Sequence, residues 1–466
     1  MSILQQSVNV INLGLEGFCQ DLKSQSVPVV QVDWRPPAGG DQELVEALIR
    51  LRGPEVDKAN RETVQRMIDA RPLWIDVERA IDVIPGMKPN HLLHSGPPIA
   101  FETMCDPQQR AIEGAAIFEG WVENRDELVQ KLERGEIELC PNYMLGSIGP
   151  MCGPISPSMP VIVTEDAASG KRAWSPFNEG KGNVLWMGTY DQGTIERLRW
   201  FRDHFGPGLK KALAQSETGI DIFQIIAEGV QMGDEVHARS GACTSLLFKK
   251  LLPLLLQTDL DKESILAIAK TIDANSHFFL NLTLTACKVA AEAAHGVKNS
   301  TVVTAMSRNG VDFALRIGGS DRWYIAKTAP MDEAIYYAGY SVDDAAGDIG
   351  DSAIVETLGL GGMVIGAACT LSSFVGGSMA DLWSTMKKMQ TICVGSNPRF
   401  APAAADFMPA PLGIDIRKVV QNGLTPIIDT GVIHKSSGKG QIGAGIARAP
   451  MEVFVKALKD KENYHA

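Results

Sequence analysis

Four segments gather ionisable side chains among small residues. The first is Gly233-Asp234-Glu235-Val236-His237-Ala238-Arg239-Ser240-Gly241. It sets two carboxylates, an imidazole and a guanidinium within six residues, between two apolar stretches. Such groups can orient one another for acid–base work or bind a charged substrate, whereas a solvated inter-helix turn needs only the capping Asp. Asp234 and His237 make a weak metal set, because one imidazole beside adjacent acids is a poor ligand spacing; no metal is expected. The second segment, Met306-Ser307-Arg308-Asn309-Gly310, carries a guanidinium and an amide suited to forking onto a carboxylate, carbamoyl or phosphate group. A plain hairpin tip would explain Asn-Gly alone.

The third segment is Gly347-Asp348-Ile349-Gly350-Asp351-Ser352-Ala353, followed by Glu356 and Gly359-Leu360-Gly361-Gly362. Its glycines let backbone approach a ligand, and its amides are expected at a helix start, an arrangement ready for an anion. Asp348 and Asp351 would repel phosphate directly, so they are expected to hold an Arg, cap the helix or receive an amide N–H2. The fourth, running from His434 through Lys435, Lys439 and Gly440 to Gly445, lacks the G-x-x-x-x-G-K-[ST] order of a nucleotide loop. It reads equally as a phosphate cradle and as a solvated loop. His91 and His94 lie in a Pro-bounded segment read as structural. No G-x-S-x-G elbow or nucleophilic cysteine motif is present, so covalent hydrolysis is weakly supported.

These segments need elements to position them. Val8 to Leu13, a helix at Glu16 to Gln25 and Val27 to Trp34 form a βαβ opening, continued by a helix at Asp57 to Ala70 and a strand at Leu73 to Val77. A Rossmann-like parallel sheet is therefore expected over residues 1–145. The dinucleotide fingerprint is absent, however: the turn reads Gly14-Leu15-Glu16-Gly17, which puts Glu16 where a pyrophosphate would sit, although Asp33 ends the second strand at a suitable distance. No cofactor is expected. Residues 146–190 hold a Gly/Pro/Met-rich loop and a hairpin with arms at Pro160 to Glu165 and Lys171 to Phe177, expected to pack with the C-terminal domain. Helical spacing of apolar residues dominates 191–298, a helical middle domain of five or six helices. Residues 299–466 return to strands, at Ser300 to Ser307, Val311 to Ile317, Trp323 to Ala326, Ile414 to Val419, Thr425 to His434 and Gly440 to Ile446, before a helix near Pro450 to Lys459. The fold class is thus α/β and α+β multidomain, with an N-terminal Rossmann-like domain, a helical middle domain and a C-terminal α+β domain.

Composition bounds the partners. The chain has 466 residues, 45% of them hydrophobic, and a formal net charge of −11. A net acidic protein is a poor general binder of nucleic acid or membrane, though a local basic site can still hold one small anion. The eight cysteines are scattered without a C-x-x-C pair, as reduced thiols would be. The first residues lack a basic segment ahead of an apolar run, so no signal peptide is expected and cytoplasm is the expected location.

In this order, VINLGLEGF, VPVVQVDWRPPAGG, AIDVIPGMKPNHLLHSGPPI, GVQMGDEVHAR, STVVTAMSRNGVDFALRIGG, GDIGDSAIVETLGLGG and IIDTGVIHKSSGKGQIGAGI together resemble the AllG/YlbE-like family. That family is known as a subunit of the oxamate carbamoyltransferase complex. The resemblance spans nearly the whole chain. It implies an FdrA-like partner subunit, a further small subunit, and phosphorolysis of a carbamoylated amide such as oxalurate to oxamate and carbamoyl phosphate. Which ureido acid is used stays open, since members differ.

Residue chemistry, rather than the resemblance, then distributes the roles. His237 is expected as proton donor, Arg308 as a fork on phosphate or carboxylate, and Asp351 as an orienting acid. Arg239, Asn309, Asp348, Ser352, Gly347 and Gly350 are expected to bind substrate. Adaptable Met-rich loops suggest a homodimer within a hetero-oligomer. Two other readings stay in view: an amidohydrolase of nitrogen-compound catabolism, with water in place of phosphate, and a non-catalytic scaffold subunit of the same complex.

Overall fold

The helix Leu280–Ala294 is apolar or small on nearly every face, and a helix of that kind can only lie inside a protein. It runs through the centre of the largest core, with Leu282, Leu284, Ala286, Cys287 and Ala290 wholly buried. Against it pack the Pro160–Asp166 and Arg172–Pro176 strands, the helix Pro54–Asp69, the strand Val303–Asn309 and the one-turn helix Ile354–Thr357. The computed structural model describes residues 9–32, 34, 36–178, 184–371, 377–436 and 438–460. It is a multidomain arrangement of mixed helix and sheet.

The N-terminal expectation needs correction. Val10–Asn12 and Val29–Gln31 do pair in parallel around the helix Glu16–Ser24, but that sheet has two strands. The expected third strand lies within Pro72–Arg79 and pairs antiparallel with Pro160–Asp166, Val77 facing Ile162. Two apolar strands gain more by burying each other under Leu280–Ala294 than by extending a short unit whose Ile11 and Val30 stay exposed. A second parallel pair joins His91–His94 to Glu138–Pro141. So the described part of 1–145 does not form one Rossmann-like sheet. Asp33 lies outside the described residues.

The hairpin in 146–190 has its expected arms, with Val163 opposite Trp174. Its neighbours differ from the expectation: Pro72–Arg79 lies along its free edge and Leu280–Ala294 covers it. The preceding loop does reach the C-terminal strands, through Gly149 and Asp351. Residues 191–298 hold six α-helices, from Gln192–Trp200 to Leu280–Ala294, the first two joined by a π-helical turn at Phe201–Phe205.

In the last third, Tyr324–Lys327, Asp312–Ile317, Val303–Asn309 and Ile349–Gly350 form one antiparallel sheet in that order. Ala334–Tyr336, Gln441–Arg448 and Ile427–Ile433 form another, leaving Ile427–Ile433 at its edge. The strand expected at 414–419 is corrected: Ala410–Ile414 ends there, and Asp415 caps a helix, Ile416–Asn422, by accepting from the Arg417 N–H. No helix among the described residues is long and apolar enough to cross a membrane.

Candidate functional site

The candidate residues fall into two buried clusters joined by one short span of chain. In the first, Ile349–Gly350 pairs with Asn309 and Arg308 and so brings Asp348 beside the guanidinium. Arg308 is fully buried. Its Nε and Nη2 donate to Asp348 (2.8 and 2.9 Å), and Nη1 donates to the Gly350 carbonyl (2.7 Å) and reaches Ser352 Oγ at 3.4 Å. The fork expected to hold a ligand is thus spent on the chain's own carboxylate. Nor is Arg308 at a hairpin tip; it lies within the strand, opposite Phe313. The turn belongs to Asn309, whose Oδ1 accepts from Val311 N and Asp312 N while Nδ2 donates to the Pro97 carbonyl. The carbonyl of that amide and one of its two N–H donors are thus taken up within the chain.

Asp351 is equally occupied. Its Oδ1 accepts from Gly96 N (3.0 Å) and Ser307 Oγ, and its Oδ2 from Asn142 Nδ2 (2.8 Å) and Gly149 N (3.2 Å). The glycines serve close approach within the chain: a side chain at Gly350 (φ 125°) would meet Met151 N at 2.6 Å, and one at Gly347 would meet the Gly310 carbonyl at 2.4 Å. The helix expected to present amides to an anion is a single turn, Ile354–Thr357, and it makes no anion site. A cavity beside Asp351, lined by Tyr143, Ser147, Lys288 and Ser307, has a volume of about 10 Å3, room for one water. Burial lowers the Lys288 ammonium below its usual range, against the opposing pull of Glu292 at 2.6 Å.

The second cluster is built differently. The helix Ile222–Gln231 ends and the chain winds through residues 233–240, with Asp234 Oδ2 accepting from Cys243 N (2.8 Å). Val236 takes a φ of 69°, a left-handed conformation that costs a β-branched residue about 1–2 kcal/mol. Glu235 helps hold that turn, its carboxylate accepting from His237 N (2.8 Å) and Arg239 N. The wound loop presents His237 Nδ1 to Glu356 Oε1 at 2.8 Å. The same oxygen accepts from Gly362 N (3.0 Å) and Asp429 N (3.2 Å), the latter from a sheet-edge strand. Gly361 (φ 57°) makes the approach possible, since a Cβ there would fall 2.2 Å from Glu356 Oε1 and 3.0 Å from His237 Cβ.

Polar capacity is left over here. Among the described residues, Glu356 Oε2 and Asp429 Oδ2 are buried without a hydrogen-bond partner, and His237 Nε2 has none either. Burial, then the neighbouring Glu356, hold the Asp429 carboxyl well above the ordinary range; burial, then Asp429, do the same to Glu235. Arg239 is 40% exposed, bonded through Nε to Asp234 (3.3 Å) and through Nη1 to Thr370 (2.9 Å). Among the described residues no group of three or more His, Cys, Asp or Glu is arranged to hold a metal.

Other candidates lie apart from these clusters or merely flank them. His91 and His94 are buried in a strand, His94 Nδ1 lying 2.8 Å from the Ser95 carbonyl, and burial lowers its pKa. The segment from His434 forms the link between two strands, with Lys439 over the Tyr340 ring at 5.9 Å; Ser437 lies outside the described residues. A groove of about 460 Å3 between Trp200, Lys211 and Ile268 shares no residue with either cluster. Sequence reasoning had Glu356 in view without a role and missed Asp429. The available signal was an acid inside the apolar run Ile427-Ile428-Asp429-Thr430-Gly431-Val432.

Residues 137–352 match the family described as oxamate carbamoyltransferase subunit AllG. The oxamate carbamoyltransferase subunit AllG of Escherichia coli (strain K12) is 39% identical over 409 residues, covering 87% of this chain and 97% of that protein. The uncharacterized protein YahG of the same organism is 38% identical over 464 residues, 98% of each chain. A crystal structure of a conserved protein of unknown function from Enterococcus faecalis V583 is 36% identical and superposes with a TM-score of 0.84, covering 87% of this chain and 97% of that one.

Proposed function

Because the chain belongs to the AllG family of oxamate carbamoyltransferase subunits, we propose that it works within a carbamoyltransferase that phosphorolyses a ureido acid such as oxalurate. The products are carbamoyl phosphate and an amide such as oxamate. The observation that carries the chemical half of this reading is the His237–Glu356 pair: Nδ1 is fixed on a buried carboxylate and Nε2 has no partner among the described residues. A carboxylate on Nδ1 sets the tautomer and leaves Nε2 to move a proton. In the proposed step an oxygen of hydrogen phosphate bonds to the ureido carbonyl carbon and the C–N bond to the amide breaks. Nε2 takes the phosphate proton and delivers it to the leaving nitrogen, so the imidazole ends as it began. Arg239, on the same loop and partly exposed, binds the substrate carboxylate or the phosphate. Arg308, Asp348, Asp351, Ser352, Asn309, Gly347 and Gly350 hold the backbone from which Glu356 projects, and do not bind substrate.

A second reading has its own support. Ile11, Leu15, Phe18, Val30 and Trp34 are each 60–75% exposed on the two-stranded N-terminal unit. Large exposed apolar side chains gathered on one small unit, with Ile11 and Val30 paired on adjacent strands, favour an interaction site there. We assign it to the FdrA-like subunit, which makes the chain a member of a hetero-oligomer and, in the limit, a scaffold for a partner's active site. One experiment separates the readings. The chain is co-purified with its FdrA-like and small partners, and carbamoyl phosphate is measured from oxalurate and inorganic phosphate. Activity that falls about 100-fold or more in His237→Ala, with assembly intact, supports catalysis by this chain. Undiminished activity in His237→Ala moves the chemistry to the partner, and turnover without phosphate makes the complex a hydrolase.

A further inference from the structure

The second cluster holds more acid than its hydrogen bonds can account for. Glu235, Glu356 and Asp429 are at most 2% exposed, and among the described residues no Lys or Arg forms an ion pair with any of them. Each oxygen of Glu235 accepts a backbone N–H, and Glu356 Oε1 accepts three donors. Asp429 is the exception, since its side chain accepts no hydrogen bond from the described residues. A buried carboxylate with no donor is strongly disfavoured, and a group so placed takes up a proton instead.

Two orphaned oxygens, Asp429 Oδ2 and Glu356 Oε2, lie in this one cluster, where the Asp429 backbone already donates to Glu356. Each oxygen calls for a donor, and a proton held between the two carboxyls is one that the chain itself can supply. We propose that Asp429 stands un-ionised at neutral pH with its proton directed to Glu356 Oε2, and that this acid is a positioning residue for the His237–Glu356 pair. Its neutral form leaves Glu356 as the anion facing His237, and its hydrogen bond fixes which carboxylate oxygen faces Nδ1. The titratable groups around it are Glu356, Glu235 and His237, with Cys287 of the central helix close enough to Glu356 for that carboxylate to help hold the thiol high. Burial and the Glu356 charge act on Asp429 in the same direction as the geometry.

The proposal rests on His237 and Glu356 being the acting pair, but its test needs no substrate. Infrared difference spectra of the full chain at pH 7 are expected to show the C=O stretch of an un-ionised carboxylic acid, shifted in D2O and diminished in Asp429→Asn. In parallel, NMR titration of His237 is expected to move by less than about 0.3 pKa unit in Asp429→Asn, because the substitution removes no charge. A wild-type spectrum without un-ionised carboxyl at pH 7 overturns the proposal, and that measurement depends on no variant. It is also overturned by a band that persists undiminished in Asp429→Asn, or by a His237 pKa that falls about one unit. A chain that shows the band yet yields complexes making no carbamoyl phosphate refutes the proposed function and leaves the acid pair standing.

Discussion

The two buried clusters use the same chemical vocabulary to opposite ends. Around Arg308 and Asp351, the charged side chains are answered from within the chain, by a bidentate ion pair, a carbonyl and four donors on one carboxylate, and what is left over is a neutral amide oxygen, Asn142 Oδ1. Around His237, whose loop holds Val236 in a strained conformation, one imidazole nitrogen and the Glu356 Oε2 and Asp429 Oδ2 oxygens are left unanswered among the described residues. A polar network whose members satisfy one another rigidifies a fold, while one left partly open retains capacity for a proton or a ligand. Chemistry-bearing residue types are common to both, so it is the leftover capacity on ionisable groups that favours the His237 cluster as the candidate site.

The largest effect should come from the closed network. Arg308→Ala strands the buried Asp348 and is expected to cost about 3–5 kcal/mol of stability. Arg308→Lys, which keeps charge but loses the fork, is expected to cost about 1–3 kcal/mol. Urea denaturation of the full chain measures both. If Arg308→Lys instead leaves stability untouched and abolishes turnover, Arg308 returns to the active site and the contrast collapses.

Next is the open network. Glu356→Gln retains shape but presents an amide to Nδ1, and turnover of the assembled complex is expected to drop about 100-fold or more with little loss of stability. A loss of stability as large as that of Arg308→Ala would make Glu356 another structural acid.

The smallest effect, taken per unit of pH, is that of titration. The folded carboxyls of Asp429 and Glu235 are raised above the ordinary range, so the folded chain binds more protons than the unfolded one between the two values. Their contribution to stability is full below the ordinary carboxylate range and is lost as pH rises through the folded pKa, at up to about 1.4 kcal/mol per pH unit for each group. Stability measured from pH 5 to 8 is therefore expected to decline less steeply in Asp429→Asn than in the wild type. Parallel curves would show that Asp429 titrates normally.

Local patterning made much of this legible. Apolar spacing announced the central helices, and the turn after Arg308-Asn309 followed from Asn-Gly between two strand-like runs. The resemblance carried across the chain identified the family before any geometry. Pairing partners were less visible: Leu73 to Val77 reads as a strand in either a parallel or an antiparallel sheet, and only the competition for buried area decides. For the same reason Arg308 looked like a ligand fork, since its partner Asp348 lies 40 residues away and the hydrogen bond that occupies it leaves no local mark. Glu356 and His237 are separated by 119 positions, and their meeting depends on glycines whose need arises only in three dimensions.

The one-turn helix Ile354–Thr357 stands between Ser352, at the edge of the closed network, and Glu356, at the heart of the open one. Four residues of helix span about 6 Å and stretch very little. The placing of Glu356 against His237 is therefore coupled, through four residues, to the Arg308 and Asp351 network. If His237 acts as proposed, the network that completes this part of the fold also sets the partner of its imidazole, so damage to the one is expected to be felt by the other.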